Sequence, residues 1–122
     1  MDMGLYTENS ISISDNMGRR LENLIFLHLR RKYKHIFYYK DKGECDFITM
    51  EKNTVKEAIQ VCLTINDENF DREFNGLLGA MQNLGLKEGY IVTLNQSDLF
   101  EKEDMTIKML PVHDFFERFS KL

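Results

Sequence analysis

The stretch "AIQVCLTI", residues 58–65, leaves this chain few ways to fold. It is almost wholly apolar and rich in β-branched side chains, so it offers water no polar face and suits a central strand covered on both sides. A helix over 71–84 follows, with Phe70, Phe74, Leu77, Leu78, Met81 and Leu84 at helical spacing and Gly85 closing it. "YIVTL" then reads as another strand. A strand–helix–strand crossover forces at least one parallel pair, so the expected class is α/β.

The other elements follow from periodicity and turn residues. A helix over about 16–33, capped by Asp15 or Asn16, gathers Met17, Leu21, Leu24, Ile25, Phe26 and Leu29 on one arc, with His28 among them. Arg19, Arg20, Arg30 and Arg31 lie opposite. "HIFYYK" is a strand, and a turn at 41–43 leads to a returning strand over 44–50. Strict alternation there places Glu44, Asp46, Ile48 and Met50 on one face and Cys45, Phe47 and Thr49 on the other. Residues 51–54 form a polar turn. Residues 106–110 make a fifth strand, and a short helix over 111–119 tolerates Pro111 in its first turn. Residues 1–15 are expected to be an irregular arm. Residues 16–122 are expected to form one domain, an α/β/α sandwich around a small mixed sheet. Its predicted core is Leu21, Leu24, Ile25, Phe47, Ile59, Val61, Leu77, Met81, Ile91 and Val92.

At 122 residues and 43% apolar composition there is chain enough for a single core. The formal net charge of -4 argues against a surface coated for nucleic acid, although a local basic face stays open. Neither a signal-peptide apolar region nor a run of about 18 apolar residues is present, so no membrane partner is expected. Cys45 and Cys62 both fall inside predicted strands and read as reduced core thiols of a cytoplasmic protein.

Three polar residues intrude on apolar faces. Glu22 lies between Leu29 and Phe26 on the first helix, Asp46 sits on the second strand, and Gln60 interrupts the third. A buried carboxylate is expensive unless it is paired, protonated or bound to a cation. Two carboxylates and an amide oxygen are a plausible hard-oxygen set for Mg²⁺. The plainer reading, which spacing alone favours, pairs Glu22 with a nearby cation or tyrosine hydroxyl and lets Asp46 merely end a hairpin. Zinc is disfavoured, because His28, His35 and His113 are scattered and neither cysteine belongs to a CxxC pair. No GxxxxGK[ST] or GxGxxG loop occurs. Arg19, Arg30, Arg31, Lys32 and Lys34 are candidate nucleic-acid contacts, although such a run is more often the solvated end of a helix.

Five segments in order, "NMGRRLENLIFLHLRRK", "YYKDKGECDFI", "AIQVCLTI", "REFNGLLGAMQNLGLKEGYIVT" and "IKMLPVHDFF", resemble the uncharacterised C-terminal domain of bacterial and archaeal P-loop ATPases of the AAA-like class. The resemblance covers nearly the whole chain from residue 16. Asp2-Met3-Gly4-Leu5 resembles the piece that leads into this domain, so the chain is expected to be the C-terminal part of a larger protein, with ATP bound only by the missing ATPase part.

The resemblance implies a restriction-endonuclease-like (PD-(D/E)xK) fold, whose nuclease members use a helix glutamate, a strand aspartate and an acid-x-lysine. By position, Glu22 takes the helix role and Asp46 the strand role. Gln60 replaces the second acid, and Cys62 replaces the lysine. A neutral thiol neither activates water nor stabilises phosphorane charge well. The expected function is thus a noncatalytic accessory domain that binds nucleic acid, a partner protein or another subunit, needing no cofactor of its own. Two alternatives stand beside it. One is a divergent Mg²⁺-dependent nuclease in which Lys40, Lys42 or Lys56 replaces the missing lysine; the other is a structural or oligomerisation module.

Overall fold

The computed structural model describes the backbone of residues 6–41 and 43–120 and the side chains of 16–41 and 43–118. Three helices, α1 (Tyr6–Arg30), α2 (Phe70–Leu84) and α3 (Val112–Ser120), accompany six strands. The strands are β1 (His35–Lys40), β2 (Glu44–Glu51), β3 (Thr54–Val61), β4 (Glu88–Thr93), β5 (Asp98–Lys102) and β6 (Met105–Pro111). They form one mixed sheet in the order β1-β2-β3-β4-β6-β5. The pairs β3–β4 and β4–β6 are parallel, and the others are antiparallel. The parallel β3–β4 pair is the one that the crossover through α2 requires.

Pleating sends successive side chains of the central strands to opposite faces. On one face α2 packs Leu77, Leu78, Ala80 and Met81 against Cys45, Ile48, Ala58, Ile91, Ile107 and Met109. On the other, Leu21, Ile25 and Leu29 of α1 and Phe115 of α3 meet Ile59, Val61, Tyr90 and Val92. The molecule is therefore an α/β fold in three layers.

Several expectations need correction. The helix begins at Tyr6, so 6–15 is not an irregular arm and no cap is required at Asp15 or Asn16. Once a helix is nucleated, each added residue costs only tenths of a kcal/mol even for Ser and Ile, and the Ser/Ile alternation has no neighbouring strand to pair with. Residues 1–5, including the stretch likened to an inter-domain lead, lie outside the described residues. The third strand starts at Thr54 rather than at 58, because Lys52 and Asn53 adopt left-handed φ values of 53° and 67° and turn the chain in two residues. It ends at Val61, so "CLTI" belongs to the connection into α2. A sixth strand, β5, went unseen because "DLFEK" is short and mostly charged, as edge strands tend to be. Pro111 closes β6 opposite Thr93 instead of opening the last helix.

The core expectation holds for most of its residues, but Leu24 is 53% exposed. A helix laid on a sheet buries only a stripe about 100° wide, here centred on Leu21, Ile25 and Leu29, and Leu24 falls beyond its rim. Strict alternation also fails in β2. Cys45 and Ile48 share the α2 face while Phe47 faces α1. The register jumps there, with Tyr39 opposite Cys45 and Phe37 opposite Ile48, so β2 carries one extra residue.

Two glycines let α2 sit unusually close to β2. A Cβ on Gly76 would stand 2.3 Å from the Glu44 carbonyl oxygen and 3.1 Å from Gln60 Nε2, and one on Gly43 would stand 3.0 Å from Gly76 Cα. We expect Gly76→Ala to lower unfolding free energy by about 1–3 kcal/mol, as overpacking does. Urea titration checks this, and an unchanged midpoint would mean that the helix slides without cost.

Candidate functional site

The bulge in β2 and the close seat of α2 create an open cleft of about 1040 Å³ beside the end of β3. Glu22 of α1, Glu44 and Asp46 of β2, Gln60 and Val61 of β3, and Asp71, Arg72 and Glu73 of α2 line it. The sequence-predicted trio Glu22, Asp46 and Gln60 thus meets in one place.

Asp46 is the most perturbed acid of this group. Burial raises its pKa to about 7, the Val61 N–H opposes that rise, and the charges of Glu22, Glu73 and Glu44 add to it. The Val61 N–H donates to Asp46 Oδ2 at 2.8 Å. Glu22 and Glu73 are likewise raised, chiefly by burial; the Arg19 charge offsets the first in part, and a hydrogen bond from Arg72 offsets the second. Arg72 Nε lies 3.1 Å from Glu73 Oε2. No side chain neutralises Asp46 directly among the contacts described, so its own proton is the cheapest counter-charge.

Gln60 is buried, with 3% of its surface exposed, and its amide is fully engaged. Its oxygen accepts the Asp46 backbone N–H at 3.0 Å, while its nitrogen donates to the Glu44 carbonyl at 2.8 Å and the Glu73 carbonyl at 3.1 Å. A buried amide can tie together three part-buried main-chain groups from two elements in this way. Gln60 is therefore a clamp between β2 and α2. Of the hard-oxygen set expected from sequence, Glu22 and Asp46 offer carboxylates to the cleft, while the Gln60 oxygen already spends one of its two lone pairs on the main chain of Asp46. Among the described residues, no group of three or more His, Cys, Asp or Glu is arranged to hold a metal.

Cys62 does not line the cleft. Its half-buried thiol lies 3.3 Å from the Thr64 carbonyl, receives Asn69 Nδ2 at 3.5 Å, and is pushed up in pKa mainly by burial. Both cysteines are free thiols. Lys40 and Lys56 are exposed and also stand outside the cleft lining, and residue 42 lies outside the described residues. Among the described residues, the cation lining the cleft is Arg72, which the sequence did not flag. Only its place in the first turn of a helix packed on the Gln60 strand could have pointed to it.

The candidate nucleic-acid residues separate into two places. Arg30, Arg31, Lys32 and Lys34 are all exposed around the end of α1, with Lys32 Nζ 5.2 Å from the Tyr33 ring and Arg30 bonded to the Lys34 carbonyl. Arg19 stands three turns back, roughly 16 Å along the helix, where its charge acts on Glu22. His28 packs on Phe116 at 4.7 Å, bridging α1 and α3 as a core histidine would.

No protein-family model and no solved structure matches the chain. An uncharacterised protein of Methanocaldococcus jannaschii is 40% identical over 99 residues, covering 76% of this chain and 22% of that protein. The chain thus spans about a fifth of the length of the curated relative it matches. Among the described residues, no helix is long and apolar enough to cross a membrane.

Proposed function

We propose that this chain is a noncatalytic binding domain on a restriction-endonuclease-like framework, accessory to a larger P-loop ATPase. The observation that carries the reading is the Gln60 clamp. The position of the second catalytic acid is spent on holding β2 to α2, and the place of the lysine is taken by a thiol turned toward Thr64 and Asn69. A phosphodiester brought to this cleft would meet Glu22, Glu44, Asp46 and Glu73 with Arg72 as the lining cation. Its charge would be repelled rather than stabilised. Nucleic acid, if it is the partner, lies instead on the exposed basic run at 30–34, where contacts to phosphate are salt-dependent. The archaeal relative has more than three quarters of its length outside the matched region, which is room for an ATPase part, and a GxxxxGK[ST] motif there would support the parentage.

Incubation with plasmid and single-stranded DNA, with Mg²⁺ or Mn²⁺, is expected to give no cleavage above background. Losing one electrostatic element of such a site typically costs about 10²–10³ in rate, and here two are replaced. Robust cleavage abolished by Asp46→Ala would establish the nuclease reading in its place.

A further inference from the structure

Among the described residues, the sheet ends in two unpaired strand edges of opposite charge. At one end β1 pairs only with β2, and at the other β5 pairs only with β6. Around β1 lie exposed Arg30, Arg31, Lys32, Lys34 and Lys40, with Asp41 and Glu44 as the local acids, the second opposite Lys40 and bonded to the Tyr38 hydroxyl. Around β5 lie exposed Asp98, Glu101, Glu103 and Asp104, with Lys102 and Lys87 as the local cations, the second paired with Asp104. Each edge also exposes apolar surface: Phe37 is 50% and Tyr38 55% exposed on β1, and Leu99 is 56% exposed on β5.

We propose that these edges pair between copies of this chain, β5 of one against β1 of the next, to extend the sheet head to tail. Strand direction favours this. The antiparallel and parallel pairings across the sheet make β1 run opposite to β5. A neighbour in the same orientation therefore presents β1 antiparallel to β5, the more stable of the two ladders. Side-chain placement agrees as well. Leu99 stands opposite Lys108, which stands opposite Tyr90 on the α1 and α3 face. Ile36 packs into that same layer, so alternation along β1 puts Tyr38 and Lys40 there too. A register that sets Leu99 opposite Lys40 sets Glu101 opposite Tyr38, so Leu99 and Tyr38, and likewise Glu101 and Lys40, become diagonal neighbours on that face.

Charge of one sign along an edge is a common defence against edge-to-edge pairing. Here it bars β1 from β1 and β5 from β5, and it attracts β1 to β5. The contact is heterologous, so it builds rings or filaments rather than a closed dimer. It is independent of the cleft and would hold even if the cleft proved catalytic, but its basic edge shares Arg30, Arg31, Lys32 and Lys34 with the run assigned above to nucleic acid, so the two partners would compete there.

Analytical ultracentrifugation of the chain from low micromolar to several hundred micromolar tests it, in low salt and at about 0.5 M NaCl, where the Debye length falls to roughly 4 Å. The weight-average mass is expected to rise at least about twofold with concentration in low salt and to fall back in high salt. Lys40→Glu alone and Glu101→Lys alone should each stay monomeric with an unchanged circular dichroism spectrum. Mixed in equal amounts, the two variants should associate again, because each then offers the other a matching edge. A parent chain that stays monomeric throughout would overturn the proposal. So would association that survives either reversal, or reversed chains that fail to recover on mixing.

Discussion

Asp46→Asn is expected to make the protein more stable above neutral pH, by up to about 4 kcal/mol. The figure follows from a carboxyl raised from 3.8 to about 7, chiefly by burial, at about 1.4 kcal/mol per pH unit. Between those two values the folded chain holds a proton that the unfolded chain has released. Stability of the parent should therefore fall as pH rises from about 4 to 7 and level off beyond. Glu22 and Glu73, also raised, push in the same direction. An asparagine at 46 keeps an oxygen to accept the Val61 N–H and carries no charge to bury. Urea titrations at pH 5 and pH 8 should show a steep loss for the parent and a flatter response for the variant. Parent stability that rises over this window would show that a cation compensates Asp46, which would revive a metal at the cleft.

The second large effect lies in the core. Leu77 is fully buried where α2 meets the sheet, so Leu77→Ala should cost roughly 2–5 kcal/mol in transfer and cavity terms. Leu24→Ala, on the exposed flank of α1, should stay within about 0.5 kcal/mol, the range of surface substitutions. Guanidinium unfolding of both variants separates the two helix faces. Similar losses at the two sites would mean that α1 sits on the sheet through a different stripe.

The cleft explains why a nuclease-like pattern need not imply nuclease chemistry. Acids on one helix and one strand were brought together, yet the third polar residue turned out to be structural. A glutamate at position 60 would put an acceptor where Gln60 Nε2 donates to the Glu44 and Glu73 carbonyls, and each hydrogen bond lost costs about 0.5–1.5 kcal/mol. Restoring an acid there would therefore disturb the seat of α2 as well as alter any metal affinity.

Sequence alone determined the elements whose signals are local and strong. The apolar run at 58–61, the helical spacing from Phe70 to Leu84 and the Gly85 terminus give the crossover and its parallel pair, because periodicity and glycine φ act within a few residues. It also singled out Glu22, Asp46 and Gln60, since a polar group on an apolar face is visible without coordinates. Only the tertiary structure decided what those residues do. The extra residue in β2 that breaks alternation between Cys45 and Ile48 depends on pairing with β1, and the roles of Gln60 and Arg72 depend on how close Gly76 lets α2 approach. Leu24 and β5 were misjudged for a related reason. Helical phase tells which residues share a face, but which part of that face is covered, and which strand is left at an edge, is set by neighbours far along the chain.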